Sequence, residues 1–472
     1  MKQSTCKYNS SLKDLIKAID QQPAGTAFIL DETEKLCGIV TDGDFRRMLL
    51  KGKSIDDHLS KADLGEYVVA RKGESMEALL KKTSKKIRII PIIDEEGFLI
   101  DYFVYRHQTR FTPIAEPTLD NTEYRYLMDA FTSTWISSRG KYIDQFEENF
   151  SNYIGCSHGV AVSNGTVAIH LALEALGIGE GDEVILPDLT FAATINAVLL
   201  AKATPVLVDV DLDSWTISPE EIEKAINKKT KAIIPVHAYG QACEMDRIMQ
   251  IAKAHELKVV EDCAEAHGAE FKGRKVGCFG DISTFSFFAN KIITTGEGGM
   301  CLTNSSALDD RMRQMRDHGM SREKKYWHEM VGFNYRMTNL QAAIGCAQIE
   351  KIDQLLVRND NFEAAYKEAL DSLGLIEWQK NIPERRKVVW LVACLSDHKA
   401  AISDALRENS IDVRPFFYCL SDMPIYSKYH FSNKNAKLLS AKGINLPTVE
   451  NVDYQHIYQI LKELNTDANG ST

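Results

Sequence analysis

The chain of 472 residues carries a formal net charge of −10, from 56 basic and 66 acidic side chains. That length exceeds one ordinary core and predicts two or three domains. The acidic balance speaks against a nucleic-acid or anionic-membrane partner, either of which would call for a surplus of lysine and arginine.

Residues 1 to about 105 hold a weak internal repeat. "SLKDLIKAID" followed by "TAFILDETEKLCGIVTDGD" is echoed by "SMEALLKKTS" followed by "IRIIPIIDEEGFLIDYF", and the turns at Asp31 and Asp94 are 63 residues apart. Each half reads as an amphipathic helix, a strand, an acidic turn and a second strand. Two such units need each other to bury their sheets. The pattern resembles a pair of CBS modules, which implies an adenine-nucleotide-binding regulatory region. In the first module "GIVTDGDFRR" has the usual threonine-to-aspartate spacing, which would set Thr41 and Asp44 against a ribose. The second has "DYFVYR" at the matching place and lacks the threonine. A packing or assembly module without ligand fits the same residues.

The polar stretch "RHQTRFTPIAEPTLDNTEY" reads as a linker into a large domain spanning about residues 106–345. From Gly159 onward seven strand-like runs, "GVAV", "DEVILP", "TPVLVDV", "KAIIPVH", "LKVVEDC", "DISTFSFF" and "GGMCLT", alternate with helical segments such as "VAIHLALEALG" and "MDRIMQIAKAHE". Such alternation predicts an α/β fold, a largely parallel sheet with helices on both faces, whose ligands collect at the carboxyl ends of the strands. Beyond about residue 345, helices with the runs "KVVWLVACL" and "IDVRPFFYCL" predict a smaller α+β domain to the C-terminus.

Ten cysteines form no CxxC pair and no Cys/His cluster with zinc spacing, so no metal site is expected and reduced buried thiols are. The opening "MKQSTCKYNSS" lacks a signal-peptide core and no run of about 18 apolar residues occurs. A cytoplasmic protein acting on small molecules is the expectation.

Three features fall where the sheet would hold a ligand. In "VSNGTVAIHLALEALG" a strand runs through Ser163, Asn164, Gly165 and Thr166 straight into a helix, whose unpaired first amides can hold a phosphate; an ordinary helix cap has the same wording. In "LKVVEDCAEAHG" Asp262 closes a buried strand, and 29 residues later Lys291 ends another strand before "TTGEGG". Each is unremarkable alone. Together they match pyridoxal 5′-phosphate, whose aldehyde needs an amine, whose ring nitrogen needs an anion and whose phosphate needs backbone donors. Burial would lower the lysine pKa and expose the lone pair that forms a Schiff base.

Five long motifs, "SNGTVAIHLAL", "DEVILPDLTFAATINAV", "EDCAEAHGA", "GDISTFSFFANKIITTGEGGM" and "GFNYRMTNLQAAIG", make the chain from about residue 110 resemble the sugar aminotransferases of the DegT/DnrJ/EryC1/StrS family, with the fold-type-I architecture of pyridoxal-phosphate enzymes. The wording is most similar to the perosamine synthases, which aminate GDP-4-keto-6-deoxy-mannose with L-glutamate. The resemblance implies that Lys291 carries the cofactor and shuttles the proton, and that Asp262 partners the pyridinium nitrogen. It implies further that Phe191 stacks on the ring, that Gly165, Thr166 and Ser286 bind phosphate, and that Asn334 reaches the phosphate of a neighbouring subunit, hence a homodimer with shared active sites. Many members carry glutamine where this chain has Glu265; an ionised glutamate cannot donate to the ring oxygen, so Glu265 must be protonated or share a proton.

His318, Arg322, Tyr326, Trp327 and His328 bring aromatic rings and cations close together, as a sugar nucleotide would require, and Arg414 could bind a carboxylate or phosphate. A solvated loop and a structural ion pair fit equally. The expected reaction yields a 4-amino-4,6-dideoxy sugar nucleotide for surface polysaccharide. UDP- or dTDP-linked keto sugars remain open as substrates. Relatives that deoxygenate sugars have histidine in place of the lysine, against which Lys291 argues. A nucleotide-sensing regulator built on an aminotransferase scaffold is the alternative of another class.

Overall fold

The computed structural model describes residues 5–20, 25–65, 67–75, 78–79, 82, 87, 89–104, 111–321 and 323–469. The chain forms two compact units, residues 1–110 and 111–472.

In the first unit, strands β1 (Thr5–Lys7), β2 (Thr26–Leu30) and β3 (Leu36–Thr41) make one sheet and β4 (Ala70–Arg71), β5 (Ile89–Ile93) and β6 (Leu99–Val104) another. β1 runs parallel to β2 and β2 antiparallel to β3; β4, β5 and β6 repeat that arrangement. The register slips by one residue between Ile29 and Leu30 and again between Ile92 and Ile93, at the same place in each half. Each hairpin turns on an aspartate whose Oδ1 accepts backbone N–H groups, Thr33 and Lys35 on Asp31, Glu96 and Phe98 on Asp94. The equivalent residues Lys35 and Phe98 bridge the two hairpins, so the halves meet about a pseudo-two-fold axis. The helix expected over Ser75–Ser84 lies mostly outside the described residues.

The second unit is built on a seven-stranded sheet whose strands are β7 (His158–Val162), β8 (Glu183–Pro187), β9 (Thr204–Val208), β10 (Thr230–Ile233), β11 (Lys258–Asp262), β14 (Ile282–Ser286) and β15 (Gly299–Thr303), with a small ribbon of β12 (Glu270–Phe271) and β13 (Arg274–Lys275) between β11 and β14. The order is β7-β15-β14-β11-β10-β8-β9, parallel except for β15, which opposes both its neighbours. All seven sequence-read runs are strands. Every residue of β14 and β15 is buried; successive side chains point to opposite faces, so both faces of the sheet are covered. Phe150, in the helix Lys141–Ile154, locks that core with ring centroids 4.9 Å from Phe285 and 5.0 Å from Phe287.

A four-stranded antiparallel sheet follows, from β16 (Glu377–Trp378), β18 (Val392–Leu395), β19 (Arg414–Pro415) and β20 (Gly443–Leu446), while β17 (Arg385–Arg386) joins the ribbon. It has its own apolar core, with Tyr366 and Leu370 of the helix Ile352–Leu370 against Val392, Ile444 and Leu446.

One expectation is corrected. Lys291 does not end a strand: β14 stops at Ser286, Phe287 makes the last pairing of the hairpin with Gly298 and accepts from Thr295, and Lys291 lies in the turn beyond it, after which Ile292, Ile293 and Thr294 fold back into the core. Phe150→Ala should cost about 3–5 kcal/mol as an uncollapsed core cavity, read as a lower urea midpoint with the secondary structure retained.

Candidate active site

A cavity of about 630 Å³ opens beyond the carboxyl ends of β7, β11 and β14. At its floor the chain passes from β7 through Asn164 into the helix Gly165–Ala175, where the Asn164 side chain caps the Val167 amide at 3.1 Å. The first amides of that helix have no intrahelical acceptor and face an anion-binding concavity. The approach is tight. A Cβ on Gly165 would lie 2.8 Å from the Cβ of Ser286, and one on Gly299 would lie 2.4 Å from the Asn164 carbonyl oxygen. Two glycines therefore let the helix start, β14 and β15 converge where Gly165, Thr166 and Ser286 line the cavity.

Asp262, 4% exposed, is the last residue of β11. Its Oδ2 accepts from the Thr194 hydroxyl at 2.9 Å and its Oδ1 from the Ala264 amide at 3.1 Å. Burial pushes its pKa above the usual carboxylate range, against those hydrogen bonds and the charge of Lys291. Such a carboxylate calls for a cationic partner. Its chain neighbour Glu261 points away, to be satisfied by the amides of Gly277, Phe279 and Gly280 and by His237. His237, Glu261 and Cys263 come within 4.8 Å of one another, a grouping that residue spacing did not suggest.

Glu265, 5% exposed, accepts the Tyr239 amide at 2.8 Å, and burial pushes its pKa up to about 7. The expected protonation of this glutamate thus has a physical basis. Tyr239 is held at φ 51°, in the left-handed region, and the next residue, Gly240, leaves no room for a Cβ beside the Val388 carbonyl. Lys291 reaches the cavity from the hairpin tip, with Nζ 4.0 Å from the centroid of the Trp390 ring. Burial holds its pKa below the usual lysine range, while Glu265 and Asp262 oppose that.

The cavity wall brings together Gly165, Thr166, Phe191, Asp262, Glu265, Ser286 and Lys291. Phe191 is 59% exposed, a ring presented to the cavity rather than packed in the core. Asn334 is not in the wall of its own chain; it is exposed and accepts from Arg336. His318, paired with Asp317, and Tyr326, Trp327 and His328 stand on a projecting turn outside this cavity, where Lys324 and Lys325 lie over the rings of Trp327 and Tyr326. Arg322 lies outside the described residues. Arg414 is ion-paired with Asp412 and exposed, also outside the wall. Thr41 and Asp44 form a capping box at the start of the helix Asp42–Leu50, with Arg47 on the second Asp44 oxygen. Sequence reasoning missed Thr194, Tyr239, Trp390 and Phe417, since nothing in their local wording marks them.

These residues fit pyridoxal phosphate: a glycine-lined helix start for the phosphate, a buried carboxylate lacking a full cationic partner for the ring nitrogen, and an amine with lowered proton affinity. The family described as DegT/DnrJ/EryC1/StrS aminotransferase matches residues 117–465, and the CBS domain matches residues 3–51, the first of the two N-terminal halves. The chain is 43% identical over 359 residues to the GDP-perosamine synthase of Escherichia coli O157:H7, covering 75% of this chain and 98% of that protein. With the GDP-perosamine synthase of Caulobacter vibrioides it shares 44% identity over 344 residues, 71% of this chain and 92% of the relative. Among solved structures, an aminotransferase from Psychrobacter cryohalolentis superposes with a TM-score of 0.70 at 29% identity, over 76% of this chain and 99% of the other.

Gly165→Ala, whose Cβ would press on Ser286 and shift the helix start, should weaken pyridoxal phosphate binding by about tenfold, comparable with one hydrogen bond, in equilibrium dialysis, with circular dichroism unchanged. A second expectation follows from Glu265. Its folded pKa of about 7 exceeds the ordinary 4.5, so between those pH values the folded chain binds more protons than the unfolded one. Stability of the cofactor-free protein therefore falls as pH rises through that window, by about 3 kcal/mol for this group. Glu265→Gln should flatten the slope of urea midpoints measured from about pH 5 to 8.

Proposed function

The chain belongs to the DegT/DnrJ/EryC1/StrS aminotransferase family, and on that premise we propose that it moves an amino group from L-glutamate to C4 of GDP-4-keto-6-deoxy-mannose. It is a pyridoxal-phosphate-dependent sugar-nucleotide aminotransferase of perosamine-synthase type. The observation that carries this reading is the joint placement of Lys291, Asp262 and the Gly165–Ser286 cradle around one cavity.

Bound there, pyridoxal phosphate supplies an aldehyde that can carry the amino group and a ring that withdraws electrons from the carbon losing or gaining a proton. Asp262, fixed by Thr194 and Ala264, holds the proton on the ring nitrogen. Gly165, Thr166 and Ser286 anchor the phosphate, and Phe191 covers a ring face. Lys291 takes the α-proton of glutamate and delivers a proton to the sugar C4, acting as base and then acid, for which a pKa near the working pH is needed. Its lowered proton affinity serves that double task. Glu265, titrating at about 7, can hold the proton shared with the ring oxygen.

Several finer features belong to the same reading. Asn334, exposed on its own chain, serves the cavity of a second copy, so the working form is a homodimer. His318, Tyr326, Trp327 and His328 contact the nucleotide across that interface. The first unit senses an adenine nucleotide at Thr41 and Asp44, which their capping box presents at a helix N-terminus. No described helix is long and apolar enough to cross a membrane, and the reaction, on nucleotide sugars and glutamate, takes place in the cytoplasm.

Absorbance spectra of the protein with pyridoxal phosphate test the central step. Glutamate should convert the band near the visible edge to a shorter-wavelength form, and Lys291→Ala should lack the first band and the conversion. Among keto sugars linked to GDP, UDP or dTDP, turnover should favour the GDP form; no turnover with any of them would overturn the substrate assignment. Removing residues 1–110 should leave turnover intact and abolish any response to adenine nucleotides.

A further inference from the structure

Trp390 stands just before β18, in the apolar run "KVVWLVACL", and is buried. Two contacts from this one indole fall on consecutive residues of the hairpin tip. Its Nε1–H donates to the Asn290 carbonyl at 2.9 Å, and its face lies 4.0 Å from the Lys291 Nζ. The Trp390 ring has aromatic neighbours of its own. It stacks on Tyr239 at 6.2 Å and on Phe417 at 6.3 Å, with interplanar angles of 28° and 22°, and the Phe417 amide donates to the Tyr239 hydroxyl. Tyr239 in turn holds Glu265 through its amide. One aromatic plate, drawn from the β10–β11 connection and C-terminal segments distant in sequence, thus touches both Glu265 and Lys291.

We propose that Trp390 is a positioning residue: its indole face holds the Lys291 amine over the cavity and favours its protonated form, so that the proton taken in the first half of the reaction stays in place for the second. This role rests on the aminotransferase reading above. The charged and titratable groups that face Lys291 are Asp262 and Glu265, which favour the ammonium, and His267, which burial among Phe150, Phe285 and Phe287 keeps neutral, its pKa held down to about 3. In the same desolvated space a cation over an indole face is attracted by the ring quadrupole. The N–H bond to Asn290 fixes the backbone from which Lys291 extends, so distance and orientation are set together.

The test needs no turnover. On the cofactor-free protein, the pH dependence of Lys291 acetylation by trace acetic anhydride, read by peptide mass spectrometry, reports the proton affinity of this one amine. In Trp390→Leu the midpoint should fall by about half to one and a half pH units as the ring attraction is lost. In Trp390→Phe, which keeps a smaller ring and loses the N–H, it should fall by less. Unchanged midpoints in both variants, or a rise from water entry, would overturn the proposal and leave Trp390 a packing residue. Circular dichroism establishes folding; should the leucine variant not fold, the phenylalanine variant decides alone. If the wild type proves inactive on every keto sugar while the midpoint still shifts, the substrate reading fails and the positioning role stands.

Discussion

The second unit depends on keeping two carboxyl groups and one amine inside the same water-poor cavity. Burial raises the proton affinity of Asp262 and Glu265 and lowers that of Lys291, so each group is drawn toward its neutral form. Mutual attraction works in the opposite direction. The balance draws the proton affinities of the amine and the acids toward one another, which reversible proton transfer at carbon demands. A solvated surface could not provide it, because water would return each group to its ordinary value.

Everything around the cavity serves to hold that balance in register. The sheet places Asp262 at a strand end, where two hydrogen bonds orient its carboxylate. The β14–β15 hairpin carries Lys291 at its tip and is anchored at its base, Thr294 donating to Gln348 and to the Phe287 carbonyl. The absence of a side chain at Gly165 and Gly299 lets the helix start, β14 and β15 converge at the cavity floor. The C-terminal segments complete the wall with Trp390 and Phe417, so neither the sheet nor the smaller core contains a whole site.

The N-terminal unit obeys a different constraint. Two short sheets, each too small to be stable alone, repeat one topology 63 residues apart and bridge at equivalent turns. Thr41 and Asp44 cap a helix in the first half, whereas the second half has Val104 where the threonine stood. The asymmetry is chemical; the backbone plan is shared.

Periodicity made the seven strands legible, because both faces of the sheet are buried and its strands read as short apolar runs between helical stretches. The repeat was legible too, since aspartate turns at Asp31 and Asp94 carry a local signal in their side chains. Glycine, aspartate and lysine in motif order located Gly165, Asp262 and Lys291, whose chemistry resides in the residue itself. Tertiary structure alone decided the rest. Lys291 sits on a hairpin tip and not a strand end because Phe287 finds its pairing partner across the turn. Thr194, Trp390 and Phe417 join the cavity through contacts between segments tens of residues apart, and their identity as ordinary threonine, tryptophan and phenylalanine says nothing of where the chain will bring them. Burial, and with it the proton affinities on which the chemistry turns, is a property of the folded surroundings, which no single residue carries in its own name.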